Sequence, residues 1–304
     1  MTPSTRLFVL LARSAPLGVI FRRGPSSQVL LIKWDIERDS FEYGQWLKGR
    51  IYERRCDLSP KGDMLLYFAA NWREPYQSWS AISRPPFLTA LALWPKGDGW
   101  GGGGLFASSD SVLLNHRELE TALAPDTTLP AWLSVTPFGD RPGWGEDDPL
   151  WSARLQRDGW KVTAYPQKTK DDFGAKVWIE YEPPITWEKS HPLRPNEYTL
   201  RMSILGMKEQ NGPWYLVDHS VIGKDGSLET IGRSDWADWS PNGDLLFAQS
   251  GCLFRLGFRD GALKCLEESE QIADFSGLRF ENKSPTESAS EWPARKNQRK
   301  RPSK

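Results

Sequence analysis

The sequence has few cysteines and histidines and no long apolar run. Three Cys among 304 residues are too few and too scattered for a disulfide framework. The histidines, His116, His191 and His219, do not have the spacing of zinc ligands. The longest apolar run near the start, Leu7–Ala12, is far shorter than the roughly 20 residues of a membrane-spanning helix. These features predict a cytoplasmic protein with no metal, no cofactor and no membrane partner.

The sequence also has no excess of charge of either sign. It contains 39 Lys and Arg and 39 Asp and Glu, so it lacks a general electrostatic attraction to nucleic acid or to an anionic membrane. Residues 282–304 differ from the rest, because they are rich in Ser, Pro and Glu and end in a basic run. We expect them to form a disordered basic C-terminal tail. Nucleic acid is not expected to bind except through this tail.

The clearest positive feature is an internal repeat. Residues 57–63 and 238–244 both read Asp-x-Ser-Pro-x-Gly-Asp, and each is followed by an apolar run that contains Leu-Leu. In such a turn Ser caps the backbone, Pro presets its φ angle, and Gly supplies a positive φ. The apolar run that follows is typical of a strand buried on both faces.

Weaker copies of this strand–turn–strand rhythm occur along the chain. Equivalent strands are predicted to begin near residues 19, 64, 104, 198 and 244. A further unit near residue 150, with a strand over Trp151–Leu155, fills the longest gap. The last unit is predicted to end in a strand over Ala262–Glu267, and one helix is predicted over His116–Leu123. Units of about 45 residues have the size of a four-stranded propeller blade.

The Ser-Pro-x-Gly-Asp turns resemble those of WD40-like and TolB-like β-propellers. The resemblance implies an all-β fold: a single propeller domain over residues 1–281, with about six four-stranded blades (five to seven) around a central channel. It also implies that the ring closes by pairing of the strand Arg6–Leu11 with a strand within Gln271–Phe280. A pair of β-sandwiches is the alternative fold.

Four irregular inserts interrupt the repeat and are rich in Trp, Pro or Gly. They cover residues 71–86, 94–104, 136–151 and 182–197. Loops on a rigid scaffold carry function, and exposed Trp and Tyr supply much of the binding energy of protein interfaces. The sequence therefore predicts a protein-binding surface made of Trp72, Tyr76, Trp79, Trp100, Trp144 and Trp187. The glycines between Gly97 and Gly102 match a dinucleotide-binding spacing, but a strand rather than a helix should follow them, so we interpret them as a flexible loop.

The sequence shows no motif of a known catalytic site, so no catalytic residue is predicted. Only paired carboxylates could supply chemistry, and nothing selects two among Asp35, Glu37, Asp57, Asp63, Asp147, Glu180 and Asp238. The favoured function is a non-enzymatic scaffold that binds a protein partner through Trp-rich loops. The alternatives are a carboxylate-dependent, glycosidase-like hydrolase in the central funnel, and a lectin-like sugar binder.

Overall fold

The computed structural model describes residues 5–24, 27–210 and 212–295. Residues 296–304, which complete the predicted basic tail, lie outside the described residues. Strands make up 48% and helices 7% of the structure. The strands form successive sheets in chain order, antiparallel except for one parallel pair, and none of these sheets is closed.

The first three sheets come from residues 6–137. The first is composed of β1 (Arg6–Leu11), β2 (Leu17–Arg23), β3 (Gln28–Asp35) and β4 (Ser40–Lys48). The second is composed of β5 (Arg50–Ile51), β6 (Asp57–Leu58), β7 (Leu65–Ala70), β8 (Ser78–Ser83) and β9 (Ala90–Pro95). The third is composed of β10 (Gly104–Ser108), β11 (Ser111–Leu114) and β12 (Ser134–Pro137).

Two larger sheets come from residues 161–274. The fourth is composed of β13 (Lys161–Ala164), β14 (Lys168–Asp171), β15 (Val177–Ser190), β16 (Tyr198–Glu209), β17 (Tyr215–Gly223) and β18 (Leu228–Arg233). The fifth is composed of β19 (Trp236–Trp239), β20 (Leu245–Gln249), β21 (Cys252–Leu256) and, after a small hairpin of β22 (Phe258–Arg259) and β23 (Ala262–Leu263), β24 (Glu270–Asp274).

Helices are few within the described ranges. They are α1 (Leu150–Arg157) and the short 3₁₀ helices Glu53–Arg55, Glu118–Glu120, Leu266–Glu268 and Glu287–Ser290. Across the same ranges, none has the length and apolar character needed to cross a bilayer.

The two repeated turns have the geometry that their sequence predicts. The Oγ atoms of Ser59 and Ser240 each accept a hydrogen bond from a backbone N–H four or five residues later, at 3.0 and 2.9 Å. Gly62 and Gly243 have φ angles of 74° and 90°, which a residue with a Cβ atom rarely adopts. Strand β7, which follows the first turn, is buried along its whole length. The repeat therefore marks equivalent turns before β7 and β20.

Three predicted elements differ from the observed ones. The strand predicted over Trp151–Leu155 does not form, because residues 150–157 are the helix α1, with Leu150, Trp151 and Arg154 buried. The predicted helix over His116–Leu123 is reduced to a single 3₁₀ turn. The last unit does not end in a strand over Ala262–Glu267, since β24 pairs with β21 instead.

The predicted pairing of the first and last strands is also wrong. Strand β1 pairs with β2, and β24 pairs with β21. The two ends of the sheet series meet through side chains: the backbone N–H of Leu7 donates to Oδ2 of Asp235 at 3.2 Å. An apolar cluster also joins the first and fifth sheets and includes Leu7, Val9, Ile32, Leu246 and Phe275.

Residues 282–295, which we name the C-terminal strap, lie across the surface of the sheets. The Trp292 ring packs edge-to-face on Trp132, with ring centroids 5.8 Å apart. Arg295 Nη1 donates to Oδ2 of Asp63 at 3.0 Å. This part of the predicted tail is therefore in contact with the second and third sheets and the loops around them.

Candidate functional site

A hollow region with two adjacent lobes lies among the first, second, fourth and fifth sheets. The larger lobe, about 540 Å³, is the aromatic pocket, and its wall includes Phe8, Trp151, Trp160, Trp236 and Trp239. The smaller lobe, about 240 Å³, is the arginine pocket, and its wall includes Arg6, Arg23, Arg50, Arg54 and Arg233. Phe8, Arg54, Val217 and Asp235 line both lobes, so they form a wall that the two lobes share.

The 3₁₀ helix between β5 and β6 supplies Arg54, one of the two charged residues of this shared wall. It is the segment Glu53–Arg55, and its two consecutive arginines have different environments. Arg54 lines the cavity, whereas Arg55 donates from Nε to Oδ1 of Asp147 at 2.9 Å and from Nη1 to the carbonyl oxygen of Gly101 at 2.7 Å. One short turn therefore connects the cavity wall to residues 94–104, which lie outside it and which we name the glycine-rich loop.

Glu53 is ionised in the cavity wall despite its burial. Its carboxylate accepts a hydrogen bond from Arg23 Nη1 at 3.1 Å. Burial alone would raise the pKa of Glu53, but the nearby Arg23 and Arg54 guanidinium groups outweigh it and hold the pKa below its usual value. The side chain is therefore a fixed negative charge.

Asp235 has the opposite behaviour. Burial raises its pKa to about 7, although the backbone N–H of Leu7 and the Arg6 and Arg54 side chains favour the ionised form. Asp235 directly precedes β19, and Asp238 lies within it. Their positions in the sequence do not show that Asp235 is the acid whose pKa is near 7.

Three of the seven carboxylates considered from the sequence line the cavity, and a cation holds each one. Asp57 forms a two-pronged ion pair with Arg157, at 2.5 and 2.9 Å. Asp238 accepts a hydrogen bond from Lys189 Nζ at 2.6 Å, and burial raises its pKa. Asp147 pairs with Arg55. The remaining four, Asp35, Glu37, Asp63 and Glu180, are not among the lining residues.

The three histidines are buried. His116 Nε2 lies 2.8 Å from Ser80 Oγ, and His191 Nε2 lies 2.8 Å from the carbonyl oxygen of Gly243. His219 lines the aromatic pocket, and burial together with Arg54 lowers its pKa to about 3. It is therefore neutral at physiological pH.

The six predicted surface aromatics have different environments. Trp72, Trp100 and Trp144 are 56%, 58% and 64% exposed. Tyr76 and Trp79 are half-buried beside a separate shallow depression. Trp187 is 4% exposed and belongs to the core of the fourth sheet. Its assignment to the surface is wrong, because residues 182–190 continue β15 and are not a loop.

The glycine-rich loop brings the three exposed tryptophans to one face, which we name the tryptophan face (Trp72, Trp100, Trp144). The Trp72 ring lies against Gly99. The backbone N–H of Gly101 donates to the carbonyl oxygen of Gly145, next to Trp144, at 2.8 Å.

The same loop places the tryptophan face beside the arginine pocket. Gly99 lies close to the hydroxyl group of Tyr52, and Tyr52 lines the pocket. Asp147, three residues after Trp144, also lines it. The loops that carry Trp100 and Trp144 therefore lie next to residues of the arginine pocket.

The cavity wall has no arrangement typical of a metal centre: within the described ranges, no three His, Cys, Asp or Glu side chains cluster in a way that could hold an ion. No protein-family model matches the chain, and no curated protein matches it. The features that can support a function are therefore the two-lobed cavity and the tryptophan face.

Proposed function

We propose that this chain is a non-enzymatic scaffold that binds a protein partner through the tryptophan face. The observation that carries the proposal is the grouping of three Trp side chains, each more than half exposed, on loops joined by hydrogen bonds. Large aromatic side chains are mostly buried unless they contact a partner, and Trp is enriched among the residues that dominate binding energy.

We also propose that the sheets are blades of a β-propeller. The first, second, fourth and fifth sheets all contribute residues to the walls of the two lobes, and the first sheet packs on the fifth. In such a fold the strands form a rigid support, and the loops at one end carry the binding residues. This arrangement accounts for the position of the tryptophan face beside the cavity mouth.

The test uses the full chain as bait in its native host, followed by binding measurements with the purified partner. The triple variant Trp72→Ala, Trp100→Ala, Trp144→Ala should bind the stoichiometric partner at least tenfold more weakly than the wild type. The matched control, Tyr165→Ala, removes an equally exposed aromatic (66%) outside the tryptophan face. Equal losses in both variants, or no loss in the triple variant, would contradict the proposal.

One observation favours a hydrolase as the second candidate. The pKa of Asp235, about 7, is in the range of a general acid. Cations hold the carboxylates of Asp57, Asp147 and Asp238, which leaves Asp235 without an obvious partner acid for glycoside chemistry. Turnover of chromogenic glycosides by the wild type, lost in Asp235→Asn, would favour the hydrolase over the scaffold.

A further inference from the structure

The arginine pocket holds more positive charge than its own acids neutralise. Cations hold three of the four acids in its wall: Glu53 by Arg23 at 3.1 Å, Glu209 by Lys176 at 3.5 Å and Asp147 by Arg55 at 2.9 Å. The fourth acid, Asp235, has its pKa raised to about 7 by burial and is about half protonated at neutral pH. The wall acids are therefore committed to other cations or only partly ionised.

Three arginines of the pocket wall donate no hydrogen bond to a carboxylate among the described residues. Among the described residues, neither Arg6 nor Arg50 forms an ion pair, and Arg54 Nη1 is 3.9 Å from Oε1 of Glu53, which is too far for a hydrogen bond. Burial, followed by the nearby Arg23, lowers the pKa of Arg6. Positive charge is thus concentrated in this lobe of the cavity.

The Arg54 guanidinium lies against two aromatic rings, but its Nε atom has no hydrogen-bond partner among the described residues. Its Cζ atom lies 4.4 Å from the centre of the Tyr215 ring and 4.6 Å from that of Trp151. Such rings stabilise a cation through its π face, whereas the N–H groups of a guanidinium donate in its plane. Nε of Arg54 is buried and has no hydrogen-bond partner among the described residues.

Arg50 repeats the same arrangement in the same pocket. Its Cζ atom lies 4.4 Å from the centre of the Tyr52 ring, and its buried Nε also lacks a partner within the described ranges. A buried donor without an acceptor is costly, so native proteins rarely leave one unexplained. Two of the four buried side-chain atoms without a partner among the described residues therefore belong to arginines that line the arginine pocket.

We propose that the arginine pocket binds an oxyanion, a phosphate or carboxylate group of a small ligand, held by Arg6, Arg50 and Arg54. The planar fork of a guanidinium matches the paired oxygens of both groups. A cavity of about 240 Å³ accommodates a ligand of the size of a diphosphate or a tricarboxylate. No side chain of the tryptophan face lines the pocket, so substitutions in the pocket and on the tryptophan face can be tested separately.

The test is calorimetric titration of the full chain with sodium pyrophosphate and, separately, with sodium citrate at low ionic strength. Arg54→Gln and Arg50→Gln should each weaken binding at least tenfold, because each removes one charged fork. The control is Arg259→Gln, which removes an exposed arginine paired with Glu268 outside the pocket and should leave the affinity unchanged. Tighter binding of pyrophosphate identifies a phosphate ligand, and tighter binding of citrate identifies a carboxylate ligand.

Melting temperatures without ligand distinguish a binding role from a structural one. Removing one positive charge from a pocket lined by five arginines should leave the melting temperature of Arg54→Gln and Arg50→Gln unchanged or raise it. A fall of several degrees in both variants would show that these arginines support the fold and would overturn the proposal. Failure of the wild type to bind either anion at millimolar concentration, or equal binding by all variants, would also overturn it.

Discussion

Asp235 is the residue that most directly links ionisation of the cavity wall to stability. Its carboxyl accepts a hydrogen bond from β1 and faces Arg6, Arg54 and Glu53. Its pKa in the folded chain, about 7, is well above the value of about 3.9 in an unfolded chain. The folded state therefore holds this proton between about pH 4 and pH 7, whereas the unfolded state has lost it.

We predict that this proton makes stability fall as pH rises from about 4 to 7, and that Asp235→Asn removes this part of the fall. The free energy of unfolding falls because the folded state binds the proton more tightly than the unfolded state does. The difference between the two pKa values limits this fall to about 4 kcal/mol, and the fall is complete above pH 7. Asn retains an oxygen that can accept the hydrogen bond from Leu7. Urea unfolding of both proteins at pH 5 and pH 8 measures the effect; identical pH dependence in the two would show that Asp235 does not titrate in this range.

The tryptophans give a second residue-scale prediction. Trp187→Ala should lower the free energy of unfolding by about 3–5 kcal/mol, because it leaves a cavity in the core of the fourth sheet. Trp144→Ala should change it by no more than about 0.5 kcal/mol, because that side chain is mostly in solvent. Equal effects in chemical denaturation would contradict the assignment of Trp187 to the core and Trp144 to the surface.

The sequence indicates which residue types form the candidate site but not which way each one points. The proline-rich residues 182–197 resemble a loop, yet residues 185–190 pair with β16, and Trp187 among them is buried. Arg54 and Asp235 belong to no motif, and they meet only because distant sheets pack together. Their importance is a consequence of burial and long-range charge, which local spacing does not encode.

At the scale of elements, the repeated turns were predictable and α1 was not. The turns depend on local chemistry, since Ser, Pro and Gly determine the backbone within a few residues. The helix Leu150–Arg157 is short, and its apolar positions also fit a strand. The buried side of this helix contacts a segment that is distant in the sequence. Arg154 is buried and donates to the backbone carbonyl oxygens of Glu53, at 3.2 Å, and of Cys56.

The glycine-rich loop supports the prediction that belongs to this scale. Gly103→Ala should destabilise the fold by more than about 2 kcal/mol, because φ is +78° and a Cβ atom would overlap the carbonyl oxygen of Arg55. Gly97→Ala is the control, with φ of +82° but open space around the added atom, and should cost about 1 kcal/mol. Thermal unfolding measures both, and equal losses would show that the close contact with Arg55 is unimportant.

For the whole molecule, chain order predicts most of the sheet succession, because each sheet is built mainly from neighbouring strands. The starts of β7, β10, β16 and β20 lie within one residue of the predicted positions. The sequence did not reveal that residues 161–233 form a single large sheet, or that β1 lies against the fifth sheet without pairing to its last strand. Both depend on which edges remain free after the sheets pack.

The C-terminal strap supports the prediction for the whole molecule. Deleting residues 282–304 should lower the melting temperature by about 5 °C or more, because it removes the contacts of Trp292 with Trp132 and of Arg295 with Asp63. Glu287→Ala, a change at an exposed strap position, is the control and should have little effect. An unchanged melting temperature after the deletion would show that the strap does not contribute to the stability of the sheets.

The packing of the first sheet on the fifth also affects how the chain folds while it is being synthesised. Leu7 and Val9 of β1 are covered by Leu246 and Phe275, which leave the ribosome more than two hundred residues later. At about 5–20 residues per second, that interval is on the order of tens of seconds. During this time the apolar side of the nascent first sheet has no permanent cover, so chaperones that bind apolar surface have a long period in which to act on the growing chain.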